Sequence, residues 1–340
     1  MTIFRFMVIC AAVAITTVGA LAFFLQSKAT AVLPISKEKI VYFAPGSGLS
    51  SIAAKLQDEG IAPYPYIFKA LALGMGKSAT LKAGEYKFTP GETLIQAIEK
   101  ISNGDVYFRK ITFPEGSTTH EITSKLIAEP TFSGEVSRNY PEGSLLPETY
   151  FYTYGEPRQK VLNRLHMDMQ RLVDELWQKH ELASGGGRNA DFPLKSKDEA
   201  VILASIVEAE TPLAKERPIV AGVYLNRLKI GMKLQADPTV IYGITQGQGD
   251  MGRELSRKDL QTPTAYNTYT IEGLPPSAIC NPGKSSLQAV FNPAETPYLY
   301  FVADGKGGHN FSKTLAEHNR HVSNYRAFER NIREKEKNND

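Results

Sequence analysis

The chain has 340 residues, about two domains' worth. At 42% hydrophobic and 22% charged it has a folded protein's composition, which excludes a wholly disordered chain. Lys and Arg number 39 against 36 Asp and Glu, and without the first thirty residues, which hold Arg5 and Lys28 and no acid, the remainder is +1. So neutral a body gives no support to a nucleic-acid role, whose usual footprint is a basic stripe, and the two cysteines, Cys10 and Cys280, cannot build a disulfide scaffold.

The first predicted element is Phe6–Leu25, an uncharged run of twenty residues. As a helix it spans ~30 Å, a bilayer core, where the backbone has no water to bond and must satisfy itself. It reads either as an uncleaved anchor or as a signal peptide cut near Ala20-Leu21-Ala22. The run continues through Phe23, Phe24 and Leu25 and exceeds the roughly 7–15 residues of a signal core, which favours the anchor. A lipoprotein site is not expected, because Met7, Val8 and Ile9 before Cys10 lack the small residue it needs. On either reading the rest is exported, and Cys280 reads as a small buried hydrophobe. Residues 26–38 read as a tether.

Next, one pattern occurs three times: an aromatic, Pro-Gly or Pro-Glu-Gly, then positions at +3, +6 and +10 from the glycine. Gly46 is followed by Leu49, Ile52 and Leu56; Gly91 by Leu94, Ala97 and Ile101; Gly116 by Thr119, Ile122 and Leu126. That spacing is one helix face, and the glycine turns the chain out of a preceding strand. Each copy is therefore predicted as strand–turn–helix. The unequal intervals of 45 and 25 residues exclude a solenoid. PGSGLSSIA at 45–53 and PGETLIQAI at 90–98 resemble the LysM module, a small glycan-binding fold. Sugar binding and plain core packing both remain open for this region. Tyr64, Tyr66 and Phe68 likewise read as a stacking platform, or as core or interface.

Leu162, Leu165, Met169, Leu172 and Leu176 recur at helical spacing, predicting a long amphipathic helix over 159–182. Ala183–Gly187 after it reads as a mobile loop, and no Lys-Ser or Lys-Thr follows to make a phosphate loop. Ser196 and Glu199 form a capping box ahead of AVILASIV (200–207), a run apolar almost all round and hence a buried helix. Pro212 disfavours helix at Thr211, so Glu210 ends that helix. Carbonyl dipoles and burial there both disfavour negative charge and raise a carboxyl's pKa, as a general acid requires. Glu208 lies about 200° away around the helix and cannot share a cleft with Glu210. The alternative is that both are solvated end-of-helix acids, one of them pairing with Arg217.

A further helix stopping near Gly231 precedes LQADPTVIYG (234–243), DLQTPTAYNTYTIEGLPP (259–276) and NPGKSSLQAV (281–290). The middle stretch is rich in Thr, Tyr, Asn and Pro, groups that suit sugar hydroxyls and pyranose faces. YLYFVADGKGGH (298–309) predicts a strand entering a Gly-rich hairpin. His318 and His321 stand three apart near His309 but without HExxH, and a solvated helix face explains them better than zinc.

With EAET at 208–211, ER at 216–217, NRL at 226–228, NFS at 310–312 and EHN at 317–319, this series resembles the endolytic murein transglycosylases of the YceG-like family over nearly the whole chain. The resemblance implies an enzyme that cuts nascent peptidoglycan between N-acetylmuramic acid and N-acetylglucosamine without water, leaving a 1,6-anhydro end and so ending strand growth. It assigns catalysis to Glu210 and offers Gln235, Asp237, Thr239, Tyr266, Asn267, Thr268 and Tyr269 as cleft residues, with Asp304, His309 and Phe311 behind them. No metal or cofactor is expected. The implied partners are glycan strands, the bacterial inner membrane through residues 6–25 and peptidoglycan synthases (penicillin-binding proteins), with no nucleic acid. The catalytic part is expected in the periplasm. Two departures stand out: Ala209 where the family often has Lys, and Ser277 where Gly is common, which strains the turn if φ is positive there.

The expected architecture is α+β. It comprises a cytoplasmic stretch (1–5), a transmembrane helix (6–25), the tether (26–38), small LysM-like α+β modules with linking structure (39–155), a larger α+β catalytic domain (156–335) and a tail (336–340). The competing readings are a hydrolysing muramidase with Asp237 as second carboxylate, and a non-catalytic, membrane-tethered glycan-binding scaffold for the synthases.

Overall fold

The computed structural model describes residues 2–183 and 192–337. Of the loop expected at Ala183–Gly187, Ala183 is helical; the rest of it and the last residues of the tail, 338–340, lie outside the described residues. The protein mixes helix and sheet, and packing divides it into two units. One holds the residues up to Lys110 with Phe151–Gly155; the other holds Ile111–Tyr150 and the chain from Glu156 onward.

The first unit opens with α1 (Thr2–Ala29), whose Phe4–Ala29 portion is long and apolar enough to cross a membrane. Then come β1 (Lys39–Phe43), α2 (Leu49–Asp58), α3 (Pro65–Gly74), β2 (Gly84–Phe88) and α4 (Leu94–Asn103). β1 and β2 pair antiparallel with Val41 opposite Tyr86, and alternation along the strands buries Val41, Phe43, Tyr86 and Phe88. Ile52, Leu56, Phe68, Ile98 and Ile101 complete this core from the helices. Phe68 is thus core, while Tyr64 and Tyr66 are exposed with ring centroids 5.9 Å apart. The segment expected as a tether is packed: Leu33 and Ile35 are buried, and the Leu33 N–H donates to the Glu92 carbonyl at 2.7 Å.

β3 (Arg109–Thr112) and β4 (Thr149–Tyr152) form a second small sheet. α5 (Thr119–Ala128) follows β3, so each of the three repeated patterns is a strand, a turn and a helix. Gly46, Gly91 and Gly116 stand at φ of 85°, 95° and 80°, a left-handed conformation that side chains resist. α4 and α5 start with complete capping boxes, Thr93 with Gln96 and Thr118 with Glu121.

The second unit is built on α6 (Arg158–Ala183), α7 (Lys197–Glu210) and α8 (Arg217–Lys229). Two short helices, α9 (Asp237–Thr245) and α10 (Arg257–Gln261), then α11 (Lys284–Phe291), the hairpin of β5 (Tyr300–Ala303) and β6 (His309–Ser312), and α12 (Leu315–Lys337) complete it. α7 runs through the middle, packed on α6, α8 and α11. Its residues Leu203–Val207 are buried with Val220, Tyr224, Leu234, Leu287 and Val290. Only half of the expected capping box forms. Ser196 accepts from the Glu199 N–H at 3.1 Å, but the Glu199 carboxylate turns to the Lys195 N–H instead of that of Ser196.

Candidate active site

Glu210 is the last residue of α7, and Thr211 leaves the helix in an extended conformation ahead of Pro212. The two acids at this end part ways. Glu208 turns to the Arg217 guanidinium at 2.7 Å and also accepts the Gly283 N–H at 2.9 Å; Arg217 reaches Glu115 at 3.0 Å with its other nitrogen. Glu210 faces α8, where the Tyr224 hydroxyl donates to its Oε1 at 2.7 Å. Neither is a solvated end-of-helix acid: Glu208 is neutralised within the protein, and Glu210 has no cationic hydrogen-bond partner among the described residues.

Burial is the largest influence on Glu210 and pushes its pKa up to about 7. The Tyr224 hydrogen bond works against it, nearby Asp237 adds to it, and the charges of His309 and Arg227 oppose it. A carboxyl in this state is present as both acid and base near neutral pH.

Three segments supply the surroundings. Asp237 opens α9, and its Oδ1 accepts the Tyr269 hydroxyl at 2.6 Å. Arg227, one turn beyond Tyr224, is buried, with its Nε donating to the Leu299 carbonyl and its Nη1 to that of Leu234, both at 2.6 Å. On the hairpin, His309 donates through Nδ1 to Glu216 Oε2 at 2.7 Å, while its backbone N–H donates to Oε1 at 3.1 Å. That pairing puts a proton on Nδ1, and Nε2 is the other polar edge of the imidazole. Phe301 sets its edge against both Tyr224 (5.7 Å, 84°) and His309 (5.3 Å, 89°).

The other sequence-derived residues divide by exposure. Gln235 is exposed next to Asp237, at a φ of 48° that few residues other than glycine adopt. Thr239, Asn267 and Thr268 are fully buried and hold the loops. Thr268 Oγ1 accepts the Ala236 N–H at 2.9 Å and meets Thr239 Oγ1 at 2.9 Å, while Asn267 Nδ2 donates to the carbonyls of Asp259, Leu260 and Thr262. Tyr266 packs against Tyr242 with the rings tilted at 59° and bonds Ser277 at 2.7 Å. Ser277 is not left-handed, so the expected strain is absent. Asp304 accepts the N–H groups of Lys306 and Gly308 and closes the hairpin turn, and Phe311 packs on Tyr298 and Phe301. His318 lies flat on Tyr300. A cavity of about 600 Å³, lined by Glu142, His166, Asp174 and Lys197 among others, sits beside the first half of α7, far along the helix from Glu210.

Tyr224, Arg227, Glu216 and Phe301 join the site without having been singled out as site residues in the sequence. Arg227 and Glu216 lie in motifs that carry the family resemblance. Phe301 lies in another of them, the strand entering the hairpin, while Tyr224 sits among apolar residues of the helix before Gly231.

The YceG-like family model matches residues 41–324. The endolytic murein transglycosylase of Bacillus subtilis (strain 168) is 29% identical over 311 residues, 82% of either chain. That of Streptococcus pneumoniae D39 is 23% identical over 350 residues, covering 86% of this chain and 60% of the pneumococcal protein's length. A crystal structure of a yceG-like protein from Listeria monocytogenes is 27% identical, covers 84% of this chain and 99% of its own, and superposes with a TM-score of 0.49.

Proposed function

This chain belongs to the YceG-like family, and from that premise we propose that it is an endolytic murein transglycosylase acting between N-acetylmuramic acid and N-acetylglucosamine of nascent peptidoglycan. The observation that carries the chemistry is a single carboxyl, Glu210, held by Tyr224 with its pKa near neutrality. Protonated Glu210 gives its proton to the glycosidic oxygen as the bond to the muramic C1 breaks. The resulting carboxylate takes the proton of that sugar's own C6 hydroxyl as O6 bonds to C1. Glu210 ends protonated, as it began, and no water enters. Asp237, fixed by Tyr269, adds negative charge where positive charge develops on the sugar ring. We assign sugar hydroxyls to Gln235 and His309, and Phe311 backs the hairpin that carries His309.

The product decides. Incubating the protein with peptidoglycan and weighing the fragments should give 1,6-anhydro ends; reducing ends with an added water would overturn the mechanism. Such ends would favour the hydrolytic reading, for which the closeness of Asp237 to Glu210 is the supporting observation. Glu210→Gln should bind glycan without cutting it, and a variant that still cuts would remove Glu210 as the acid.

We read α1 as an uncleaved anchor in the bacterial cytoplasmic membrane, with the chain beyond it outside the cytoplasm. In that setting the enzyme ends strand elongation beside peptidoglycan synthases. The order β1–α2–α3–β2, two helices between paired strands, supports a LysM-like reading of the first unit.

A further inference from the structure

α3 is apolar on both sides. Its inner face buries Ile67, Phe68 and Ala72, as the core requires. Its outer face exposes Tyr66 (61%), Ala70 and Leu73 (60%), positions one and two turns apart, with Lys69 between them. An outer stripe of this kind on an extracytoplasmic helix normally has an occupant.

The occupant follows from what adjoins the stripe. α1 ends against α3 and α4, with Leu25 packed on the core and Ala29 buried. No slack follows, because Leu33 and Ile35 are buried within the same unit. If Phe6–Leu25 fills the ~30 Å hydrocarbon layer, Lys28 lies less than one helical turn beyond it, inside the headgroup zone of ~5–8 Å. The Lys28 ammonium is 5.8 Å from the Tyr64 ring, and Tyr64 is 5.9 Å from Tyr66, so both tyrosines are held at that depth. Tyrosines and snorkelling lysines are the side chains favoured at this level of a bilayer. Charge agrees. Residues 26–37 and 60–84 contain Lys28, Lys37, Lys69, Lys77 and Lys82 and no acid, in a chain whose net charge is only +3. A small apolar pocket of about 190 Å³ opens beside Lys28 between Val32, Pro34, Tyr64 and Ile67.

We infer that the outer face of α3, with Tyr64, Tyr66, Lys69 and Leu73, is a membrane-contact surface that seats the first unit in the headgroup layer of an anionic phospholipid bilayer. The inference rests on α1 being a retained anchor, and the test separates the two.

The full chain, with Cys10→Ala and with Cys280 left in place because it is buried, is reconstituted in nanodiscs of phosphatidylethanolamine and phosphatidylglycerol. Nitroxide labels are placed singly at Val13→Cys, Ser51→Cys, Tyr66→Cys and Leu73→Cys. Collision with oxygen relative to a water-soluble nickel chelate then reports depth. The ratio at 66 and 73 should be several-fold above that at 51 and should approach that at 13. Aqueous ratios at 66 and 73 with a membrane ratio at 13 would overturn the surface while leaving the anchor, and would point to a protein covering the stripe. An aqueous ratio at 13 would remove the anchor and the inference together. Unlabelled Tyr66→Glu/Leu73→Glu gives a second measure. Amide exchange across α3 should rise several-fold in the discs relative to the parent, and unchanged exchange would count against the surface.

Discussion

Glu210→Gln keeps the shape of the side chain and an acceptor for Tyr224 while removing the titrating proton. In the folded chain this carboxyl has a pKa of about 7 against an ordinary 4.5. At about 1.4 kcal/mol for each tenfold change in the ionisation constant, the difference corresponds to roughly 3 kcal/mol. The sign follows from which state holds the proton. Below 4.5 both folded and unfolded chains are protonated and no penalty exists. Between 4.5 and 7 the unfolded chain releases its proton while the folded chain keeps it, so stability falls as pH rises; above 7 the full penalty is in place. The Gln variant, neutral throughout, escapes it. Urea unfolding of both full chains in detergent, followed through Trp177, provides the measurement. This one tryptophan of the chain packs edge-on against Phe291 beside the α7 core. Other acids titrate alike in both proteins and drop out of the difference. Wild type should lose about 3 kcal/mol relative to Glu210→Gln across that interval. A difference that stayed flat, or widened towards low pH, would refute burial as the cause of the raised pKa.

Tyr224→Phe removes the hydrogen bond that favours ionised Glu210, so its pKa should rise and the pH–rate profile should move upward by on the order of one pH unit. Asp237→Asn removes a charge that disfavours the carboxylate, so the same profile should move downward, and by less, because Asp237 is exposed and water screens it. Arg217→Met strands the buried Glu208 carboxylate and releases Glu115, and should cost roughly 3–5 kcal/mol in urea unfolding. A loss within 1 kcal/mol or so would mean that Glu208 finds compensation in the Gly283 N–H alone.

Local signals made much of this site legible. Pro212 after Thr211 marked the end of α7 and so the position of Glu210, and the 200° between Glu208 and Glu210 anticipated their separate partners. The left-handed glycines of the three repeats were readable because only the backbone decides them. What stayed hidden depends on distant pairing. Glu216 and His309 are 93 positions apart, and nothing in either segment announces the other. Tyr224 sits among Val223 and Leu225, where an aromatic reads as core; only the fold brings its hydroxyl to Glu210. Thr239, Asn267 and Thr268 illustrate the opposite ambiguity. Their polar groups suggested sugar contacts, and in the fold Asn267 bonds the carbonyls of its own loop while Thr268 ties that loop to Ala236 and Thr239. The Ser277 backbone takes an ordinary conformation, so a departure from the family pattern carried no strain.

The third repeat belongs with the second unit, and its turn reaches the site. Glu115 holds Arg217, Arg217 holds Glu208, and the Gly116 N–H donates to the Asn281 carbonyl at 3.0 Å. A tight turn formed early in the chain therefore acts as a clamp on the last turn of α7, two residues before Glu210. A lesion at 115 or 116 would be inherited as a catalytic defect although it lies about a hundred residues upstream. A truncation meant to isolate the catalytic portion should begin before β3 to keep that clamp.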